Sequence, residues 1–407
     1  MAKCPVYSVA RVEGSVARGK LALIEAGLNG QIKTGKKYRF FLSACLLCGS
    51  CVQSCPSEVD TPRLVRLGRQ KLAAAGKTRW LKRLFLQRFL PSRRMLPVLF
   101  KGARACRALW AAKVPDSSGL HVRFLKGPGG QRHSLPKITK PFFTDRELPR
   151  EFTQAGLKVA WFSGCVSNYL RPQASESALR VLSKASACVV VPATQGCCGL
   201  PALAAGETEA AKKLARRNLE AFLPEGGTWP DVITTACASC AVMLKKHLPE
   251  LLASDENLAA RAKTFGDRVE PFSRLYSRLA SGKGDAGKAK QPGLPVLTYH
   301  DPCHLSKGFK EKDAPRLLLT KLAGARFVEM RRPCGCCGQG GSFNITHYDL
   351  SLKIADKKVK DILASGAEVL VTECSGCILQ LSEVLRRAGS SIEVISTPEA
   401  LELYGDL

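Results

Sequence analysis

The sequence predicts a helical N-terminal domain followed by two copies of one α/β domain, each built on a parallel sheet. Three observations support this fold class. Five cysteines recur at a nearly constant separation, apolar strand-like segments alternate with helical segments in both copies, and a basic helical segment precedes them. A constant offset indicates internal duplication, and strands that alternate with helices are typical of parallel sheets.

The composition is that of a globular chain with an unusual charge. Of the 407 residues, 45% are hydrophobic and 24% are charged, which excludes wholesale disorder. Lys and Arg number 62 against 34 Asp and Glu, which leaves a net charge of +28. No run approaches the roughly 18 apolar residues of a membrane-spanning helix. Residues 1–14 lack the apolar region of a secretory signal. We therefore expect a cytoplasmic protein.

The 18 cysteines are bunched as C-x-x-C pairs and as adjacent pairs. In a chain without a secretory signal, this spacing favours metal ligation over disulfides, which are typical of small secreted scaffolds. The clustered cysteines form three groups, one near the N-terminus and one in each predicted α/β copy.

The N-terminal group is the run ACLLCGSCVQSCP, with Cys45, Cys48, Cys51 and Cys55. The spacing C-x-x-C-x-x-C-x-x-x-C-P is the bacterial-type ferredoxin run. Cysteines three residues apart on a tight loop can hold three iron corners of one [4Fe-4S] cube. Zinc is the minor alternative, because it usually takes paired chelates from two separate segments. We therefore expect an α-helical ferredoxin-like domain over residues 1–113.

Cys4, which is followed by proline, resembles the end of another such run, whose remaining cysteines would fall upstream of the first residue. We expect from this that the chain starts inside a first ferredoxin motif. In two-cluster ferredoxins the fourth cysteine of each run ligates the other cluster. Cys4 would then complete the cluster held by the first three cysteines of the complete run. In the alternative assignment, Cys55 closes its own run and Cys4 is a free thiol.

The other two groups each contain a single cysteine, an adjacent pair and a C-x-x-C pair. The first copy has Cys165, Cys197, Cys198, Cys237 and Cys240, and the second copy has Cys303, Cys336, Cys337, Cys374 and Cys377. The separation is 138 residues for the single cysteine (165 to 303), 139 for the adjacent pair (197 to 336) and 137 for the C-x-x-C pair (237 to 374).

Each cysteine cluster is expected at the carboxyl end of a strand, where ligands gather in open α/β sheets. We predict three strands per copy, for example LKVAWFSGC, ACVVVPA and DVITTACASC in the first. Gly199 and Gly338 follow the adjacent pairs and permit the sharp turn that would aim both thiols at one cofactor. Five thiols exceed by one what a cubane cluster or a zinc ion needs, so a bridging thiolate would use the fifth.

These motifs resemble the cysteine-rich CCG domain. The spacing is C-x31-CC-x38-C-x-x-C in the first copy and C-x32-CC-x36-C-x-x-C in the second. The sequence segments YHDPCHL, CCGLPAL and CCGQGGSF are also similar to those of the family. Pairs of this domain occur in iron–sulfur subunits of glycolate oxidase and lactate-utilisation dehydrogenases. They also occur in the C subunit of anaerobic glycerol-3-phosphate dehydrogenase and in the B subunit of heterodisulfide reductase. With a ferredoxin motif in front, the chain resembles the glycolate oxidase and lactate types most.

The resemblance implies cofactors and partners. Each set of five cysteines would hold one noncubane [4Fe-4S] cluster, with zinc as an alternative in one copy. The chain would carry electrons from an FAD-binding 2-hydroxyacid (glycolate or lactate) dehydrogenase subunit to quinone or another carrier, and would not be catalytic alone. The alternatives are a heterodisulfide reductase B-like subunit with a catalytic noncubane cluster, or a glycerol-3-phosphate dehydrogenase C-like subunit.

The chain departs from the family pattern in two ways. Each copy keeps both cysteines of its C-x-x-C pair, which some glycolate oxidase subunits do not, and this favours lactate-type or heterodisulfide-type sites. Only one ferredoxin run is complete, where the family usually carries two. The sequence contains no recognisable FAD or NAD fingerprint, so the flavin is expected on a partner subunit.

Composition shifts give the expected domain boundaries. The ferredoxin-type domain covers residues 1–113 and is followed by a linker at 114–155. The first CCG copy covers residues 156–282. A Gly-, Lys- and Pro-rich linker at 283–293 leads to the second copy at 294–407.

The segment from Arg63 to Lys113 contains 15 Lys or Arg and no Asp or Glu. One interpretation is an ordinary solvated helical surface. The other is a docking surface, either for an acidic partner protein or for the anionic inner face of the cell membrane. A membrane helix is the weaker interpretation, because Arg88 interrupts the apolar arc. We expect no nucleic-acid partner, since no zinc-finger spacing with His is present and each thiolate-bound cluster adds about −2 in charge.

The remaining cysteines and two histidines are assigned lesser roles. Cys106 and Cys188 are expected in the core, and Cys334 as a bystander thiol beside the second adjacent pair. His300 and His304 flank the single cysteine of the second copy. We expect them to be hydrogen-bonding neighbours of the cluster rather than ligands.

Overall fold

A computed structural model describes residues 3–76, 80–106, 111–112, 122–124, 134–135, 138–152, 156–185, 187–280 and 293–405. Two four-stranded parallel sheets, one in each CCG repeat, organise most of these residues. The strands are β1 (Ala111–Ala112), β2 (Val122–Phe124), β3 (Ser134–Leu135), β4 (Lys158–Trp161), β5 (Cys188–Val190), β6 (Val232–Thr235), β7 (Val269–Pro271), β8 (Val296–Tyr299), β9 (Arg326–Phe327), β10 (Val369–Val371) and β11 (Glu393–Ile395).

The two sheets have the same strand order. The first is β5-β4-β6-β7 and the second is β9-β8-β10-β11, and every neighbouring pair in both is parallel. The central strands β4, β6 and β8 are almost entirely buried, as expected for strands covered on both faces. The prediction of two duplicated parallel α/β units is confirmed. The prediction of three strands per unit was one short, because β7 and β11, unlike the predicted strands, do not lead into a cysteine motif.

Helices fill the connections and form most of the N-terminal part. The helices of the N-terminal part are Tyr7–Ala10, Glu13–Ser15 (3₁₀), Ala17–Leu28, Lys36–Ser43, Thr61–Ala74, Trp80–Leu84, Phe85–Phe89 (π) and Met95–Ala105. Those up to the end of the first repeat are Phe143–Asp145 (3₁₀), Gly164–Tyr169, Gln173–Lys184, Leu200–Ala205, Thr208–Phe222, Ala238–Val242, Met243–His247 (π), Leu248–Leu252, Glu256–Asp267 and Phe272–Ala280. Those of the second repeat are His304–Phe309 (π), Asp313–Thr320, Phe343–Thr346, Tyr348–Leu363, Ser375–Arg387 and Thr397–Tyr404. Among the described residues, no helix has the length and apolarity needed to cross a membrane.

The two repeats share one hydrophobic core. Helix Gln173–Lys184 of the first repeat packs against helix Thr397–Tyr404 of the second, and both contribute to a single buried cluster that spans the two sheets. The second of these helices begins with a capping box, in which the Ser396 hydroxyl accepts from the Glu399 amide at 3.4 Å. Glu399 also pairs with Arg171 of the first repeat at 3.1 Å. The repeats are therefore packed as one body.

The N-terminal helices pack against both repeats. Arg69, on helix Thr61–Ala74, donates to the carbonyl oxygen of Cys45 at 2.7 Å and to that of Ala204 in the first repeat at 2.7 Å. On the other side, Leu46 packs with Phe343 of the second repeat in a small buried cluster. The polar and apolar contacts together fix the cysteine run between the repeats.

Part of the predicted linker at 114–155 belongs to the folded structure. Three short antiparallel strands, β1 to β3, pair within residues 111–135. Phe142 and Phe143 are buried in the core that the repeats share. The Thr139 amide donates to the carbonyl oxygen of Tyr169 at 3.0 Å. The second predicted linker, at 283–293, lies almost entirely outside the described residues.

Candidate metal centres

Three of the four cysteines of the N-terminal run line a small cavity together with Cys4. Its lining includes Cys4, Cys45, Cys48 and Cys51, and Cys55 is not among the lining residues. The structure therefore places the four cysteines of the exchanged assignment, in which Cys4 takes the place of Cys55, around one cavity. Which of these thiols bind iron stays a prediction.

Two cations lie beside these thiols: Lys20, which is buried and lines the cavity, and the half-buried Arg69, which contacts Cys45. The Lys20 ammonium is 2% exposed and donates to the Ser15 carbonyl oxygen. Burial lowers the pKa of Lys20, while the thiols of Cys45 and Cys4 raise it. Burial raises the pKa of the Cys45 thiol, and the nearby Arg69 guanidinium opposes that effect. Both cations favour negative charge on sulfur, which is the state in which cysteine ligates metal.

The five thiols of the first repeat lie in one connected series. Cys165 begins the helix after β4 and contacts Cys197, which in turn contacts Cys198. Cys198 contacts Cys240, and Cys240 contacts Cys237 after β6. Contacts with Cys197 and Cys240 lower the pKa of the Cys198 thiol, whereas the contact with Cys197 and burial raise the pKa of Cys165. The carboxyl ends of β4 and β6 thus converge as predicted.

The adjacent pairs turn at the predicted glycines. Gly199 has a φ of 95° and Gly338 a φ of 89°, in the left-handed region that favours glycine. A side chain at Gly338 would also lie 2.5 Å from the carbonyl oxygen of Ser351. The turn therefore needs a glycine in the second repeat for space as well as for conformation.

The thiols of the second repeat lie between the other two groups. The Cys337 sulfur is 3.4 Å from the Cys377 sulfur, and Cys377 contacts Cys374. The contact with Cys377 lowers the pKa of Cys337 well below its usual value, against the effect of burial. Cys303 and Cys336 are electrostatically coupled to each other and to Cys48 of the N-terminal run.

Each boundary between thiol groups is crossed by direct contacts. Cys237 of the first repeat contacts Cys374 of the second. At the other end, Lys307 of the second repeat donates to the Ser50 hydroxyl, and the Cys48 thiol lies 3.4 Å from that hydroxyl oxygen. The three groups form a continuous row from the N-terminal cavity through the second repeat to the first.

The residues given lesser roles have different outcomes. His304 pairs with the Ser239 hydroxyl at 2.7 Å, so it is the hydrogen-bonding neighbour that the sequence predicted. Cys188 is buried in β5 as expected. The core assignment of Cys106 was wrong, because the residue is exposed after a helix end. The Cys334 thiol donates to an Asp301 carboxylate oxygen at 3.1 Å, outside the thiol contacts described above, as expected of a bystander.

His300 is the residue whose position differs most from the sequence interpretation. A ring nitrogen and the sulfurs of Cys337 and Cys377 all lie within 4.8 Å of one another, in the geometry of a candidate metal site. The sequence does contain a sign of this difference between the two repeats. His300 occupies the position that Phe162 has in the first repeat, again 138 residues away (162 to 300).

The donor sets fit iron–sulfur clusters. All 18 cysteines are free of disulfides, and the thiols of the adjacent and C-x-x-C pairs in the two repeats are buried except for Cys336, which is half-buried. Buried sulfurs in contact, flanked by cations, are chemically suited to hold a cluster. The His300 imidazole beside them has no hydrogen-bond partner of regular geometry among the described residues. Isolated core thiols would not be gathered in this way.

The sequence of this chain is similar to those of known proteins. The family model of the cysteine-rich CCG domain matches residues 159–245 and 297–382. A probable glycolate oxidase iron–sulfur subunit of Bacillus subtilis is 29% identical over 399 residues, which cover 96% of this chain and 88% of that protein. Lactate utilization protein A of Macrococcus caseolyticus is 31% identical over 245 residues, which cover 60% of this chain and 96% of that protein.

A third relative is a subunit of a different enzyme. The B subunit of the fumarate reductase (CoM/CoB) of Methanothermobacter marburgensis is 28% identical over 367 residues, which cover 90% of this chain but 62% of that protein. The paired domains, the cysteine motifs and the relatives that match along nearly all their length lead to one conclusion. This chain belongs to the family of CCG-domain iron–sulfur subunits of the glycolate oxidase and lactate-utilisation type.

Proposed function

We propose that this chain is the electron-transfer subunit of a flavin-dependent 2-hydroxyacid dehydrogenase complex. A partner FAD subunit would oxidise glycolate or lactate, and this chain would deliver the electrons to quinone or another carrier. The observation that carries the proposal is the continuous row of three thiol groups, linked at Cys48–Ser50–Lys307 and at Cys237–Cys374. When bound, iron–sulfur clusters would supply one-electron redox chemistry at these sites.

The chain's own residues would hold and separate the cofactors. Cys4, Cys45, Cys48 and Cys51 are proposed for the N-terminal [4Fe-4S] site, and the two sets of five cysteines for the repeats. Lys20 and Arg69 would stabilise the more negative, reduced state of the first site, because the buried Lys20 and the half-buried Arg69 both lie beside its thiols. Burial of the CCG thiols would keep water away from the cluster sites of the two repeats.

The chain is proposed to be inactive toward 2-hydroxy acids without its partner. The sequence carries no flavin-binding fingerprint, and flavin is the cofactor that would remove the hydride. The experiment is anaerobic purification followed by addition of lactate or glycolate, with and without the flavoprotein subunit. We expect the visible iron–sulfur absorbance to bleach only when the flavoprotein is present. Turnover by the flavin-free chain alone, or a protein with zinc and no iron, would contradict the proposal.

A second candidate function is reduction of a disulfide substrate at a CCG site. It is favoured by the similarity to a fumarate reductase subunit whose name includes the thiol coenzymes CoM and CoB. Cys165 is half-buried, whereas the other thiols of the first repeat are buried, so it offers the most accessible sulfur there. Reduction of the mixed disulfide of CoM and CoB to the two thiols by the reconstituted chain, with dithionite as the electron donor, would favour this candidate over the first.

The basic segment is proposed as the docking surface of the complex. Several large apolar side chains are exposed on its helices: Trp80, Leu81, Leu84, Phe85, Met95, Val98 and Leu99. The helices that carry them pack against one another, and the exposed Arg93 and Arg94 lie between them. Exposed apolar groups beside cations suit an acidic protein with an apolar patch, or alternatively an anionic membrane surface.

A further inference from the structure

We propose that His300 is a nitrogen ligand of the metal centre in the second repeat, where it acts together with Cys337 and Cys377. The inference deepens the proposed function and rests on it, since it assumes that this centre contains iron. It makes the two CCG sites chemically different, with sulfur ligands in the first repeat and mixed sulfur and nitrogen ligands in the second.

The first observation concerns the hydrogen bonding of the imidazole. His300 is 1% exposed, and neither ring nitrogen has a hydrogen-bond partner of regular geometry among the described residues. An unsatisfied buried polar group costs about 1–3 kcal/mol. His304, four residues on, is half-buried and pairs with the Ser239 hydroxyl at 2.7 Å. His300 therefore needs a partner that the protein's nitrogen and oxygen atoms do not supply.

The second observation is where the ring lies. A ring nitrogen and the sulfurs of Cys337 and Cys377 fall within 4.8 Å of one another. A metal ion bound at roughly 2.0–2.3 Å from nitrogen and sulfur bridges atoms at such separations. Imidazole already replaces thiolate on one iron of Rieske-type clusters, so iron–sulfur chemistry accepts this ligand.

The backbone around His300 is fixed on both sides. Its amide donates to the Val371 carbonyl oxygen at 2.9 Å, and its own carbonyl oxygen accepts from the Thr372 hydroxyl at 3.0 Å. Both partners lie at the end of β10, just before the C-x-x-C pair. The same sheet edge thus positions the imidazole and the thiol pair.

The third observation is the contrast between repeats. Phe162 occupies the equivalent position in the first repeat and is completely buried, so an apolar ring fits that space. The second repeat places an imidazole where the fold does not require a polar group. A neutral imidazole brings less negative charge to the site than a thiolate, and the exchange raises the potential of Rieske centres. We therefore expect the second-repeat centre to have the higher reduction potential of the two.

The competing role for His300 is a hydrogen bond to the Cys337 sulfur without metal contact. Lys358 and Asp301 also act electrostatically on the ring, so they would shape either role. The two roles differ in one measurable property. Only a bound imidazole shares unpaired electron density with the iron and couples strongly to it through its nitrogen.

The test uses the full chain, anaerobically purified and labelled with ¹⁵N-histidine. Pulsed electron paramagnetic resonance across a redox titration should show one strongly coupled ¹⁵N nucleus. The coupling should disappear in His300→Phe and in His300→Cys, and should persist in His247→Asn, a control whose ring pairs with Arg66 and Glu250. In His300→Cys, where a thiolate replaces the imidazole, the midpoint potential of one optical transition should fall.

Different results separate this inference from the proposed function. An iron-free protein would contradict both. Iron in both repeats without ¹⁵N coupling in the unmodified chain, or with coupling retained in His300→Phe, would overturn the ligand assignment alone. An optical titration that is unchanged in His300→Cys would overturn it as well, including when His300→Phe fails to fold.

Discussion

The Ser239 hydroxyl of the first repeat lies 3.3 Å from the Cys374 sulfur of the second. The same oxygen pairs with His304 at 2.7 Å, and the adjacent Ala238 amide donates to the Glu373 carbonyl oxygen at 2.8 Å. One serine therefore joins the C-x-x-C loop of one repeat to the thiols of the other.

Replacement of Ser239 tests this junction. Ser239→Ala removes two polar contacts, and we expect the free energy of unfolding to fall by about 1–2 kcal/mol. The second-repeat centre should also shift to lower potential, because hydrogen bonds to sulfur favour the reduced state. Urea unfolding and a redox titration measure the two effects. Thr264→Ala is the control, since that exposed hydroxyl bonds only within its own helix. Equal behaviour of the two variants would count against the junction.

Cys4→Ser and Cys55→Ser form a matched pair for the N-terminal site. Cys4 lines the cavity shared with Cys45, Cys48 and Cys51, and Cys55 does not. We expect Cys4→Ser to change the spectrum of the N-terminal [4Fe-4S] centre and to lower its iron content. Cys55→Ser should leave that centre intact. Iron analysis and electron paramagnetic resonance would decide, and the opposite pattern would restore the assignment in which the run closes on its own fourth cysteine.

Gly206 is predicted to be indispensable for docking of the N-terminal helices. Its φ is 87°, and a side chain there would lie 2.5 Å from the backbone carbonyl carbon of Arg69. Gly206→Ala should cost about 1–2 kcal/mol in backbone strain and about 1–3 kcal/mol more in overpacking. Gly226→Ala controls for strain, since its φ is 69° and nothing lies within 4 Å. A cost no larger than that of the control, measured by urea unfolding, would exclude the clash.

His347 makes stability fall in mild acid. Burial, followed by the nearby Arg69, Lys82 and Lys20, lowers its pKa from 6.5 to about 4. Between these values the unfolded chain binds the proton and the folded chain does not, so the free energy of unfolding falls as the pH drops from about 6.5 to about 4. The difference between the two pKa values corresponds to at most about 3 kcal/mol. Because this ring is half-buried and partly screened by solvent, we expect a loss of about 2 kcal/mol.

His347→Asn should therefore show a shallower loss of stability over that range. Part of the slope should remain, because burial lowers the pKa of His304 to about 4 as well. Urea unfolding at several pH values measures the slopes. Identical slopes for the variant and the unmodified chain would show that His347 does not titrate as described.

Charge reversal tests the proposed docking surface. Arg93→Glu with Arg94→Glu should weaken association with the flavoprotein subunit at least tenfold at low salt, and added salt should mimic the effect. Lys36→Glu with Lys37→Glu carries the same charge change on exposed residues elsewhere in the N-terminal part. Association that is insensitive to salt, or weakened equally by both double variants, would contradict a specific surface. Loss of binding to phosphatidylglycerol vesicles instead of to the protein would identify a membrane contact.

The duplication could be predicted from the sequence because cysteine spacing and strand periodicity repeat together. The same regularity located Gly199 and Gly338, whose turns need a positive φ. The fourth strand of each repeat was not predicted, since a short strand such as β7 has no cysteine motif at its end to mark it. The burial of Phe142 within a predicted linker depends on tertiary packing. The position of His300 among the thiols likewise follows from how two strand ends meet, which spacing alone does not encode.

The shared core has a consequence for the covalent chain. Helix Gln173–Lys184 packs against helix Thr397–Tyr404 across the repeat boundary, and Arg171 pairs with Glu399 there. The covalent connection through residues 281–292 is therefore not what keeps the repeats together. A protease that cut only within this connection would leave two fragments that stay associated and migrate as one species until denatured. A gene split at the same place would yield two polypeptides able to assemble into the same row of sulfur sites.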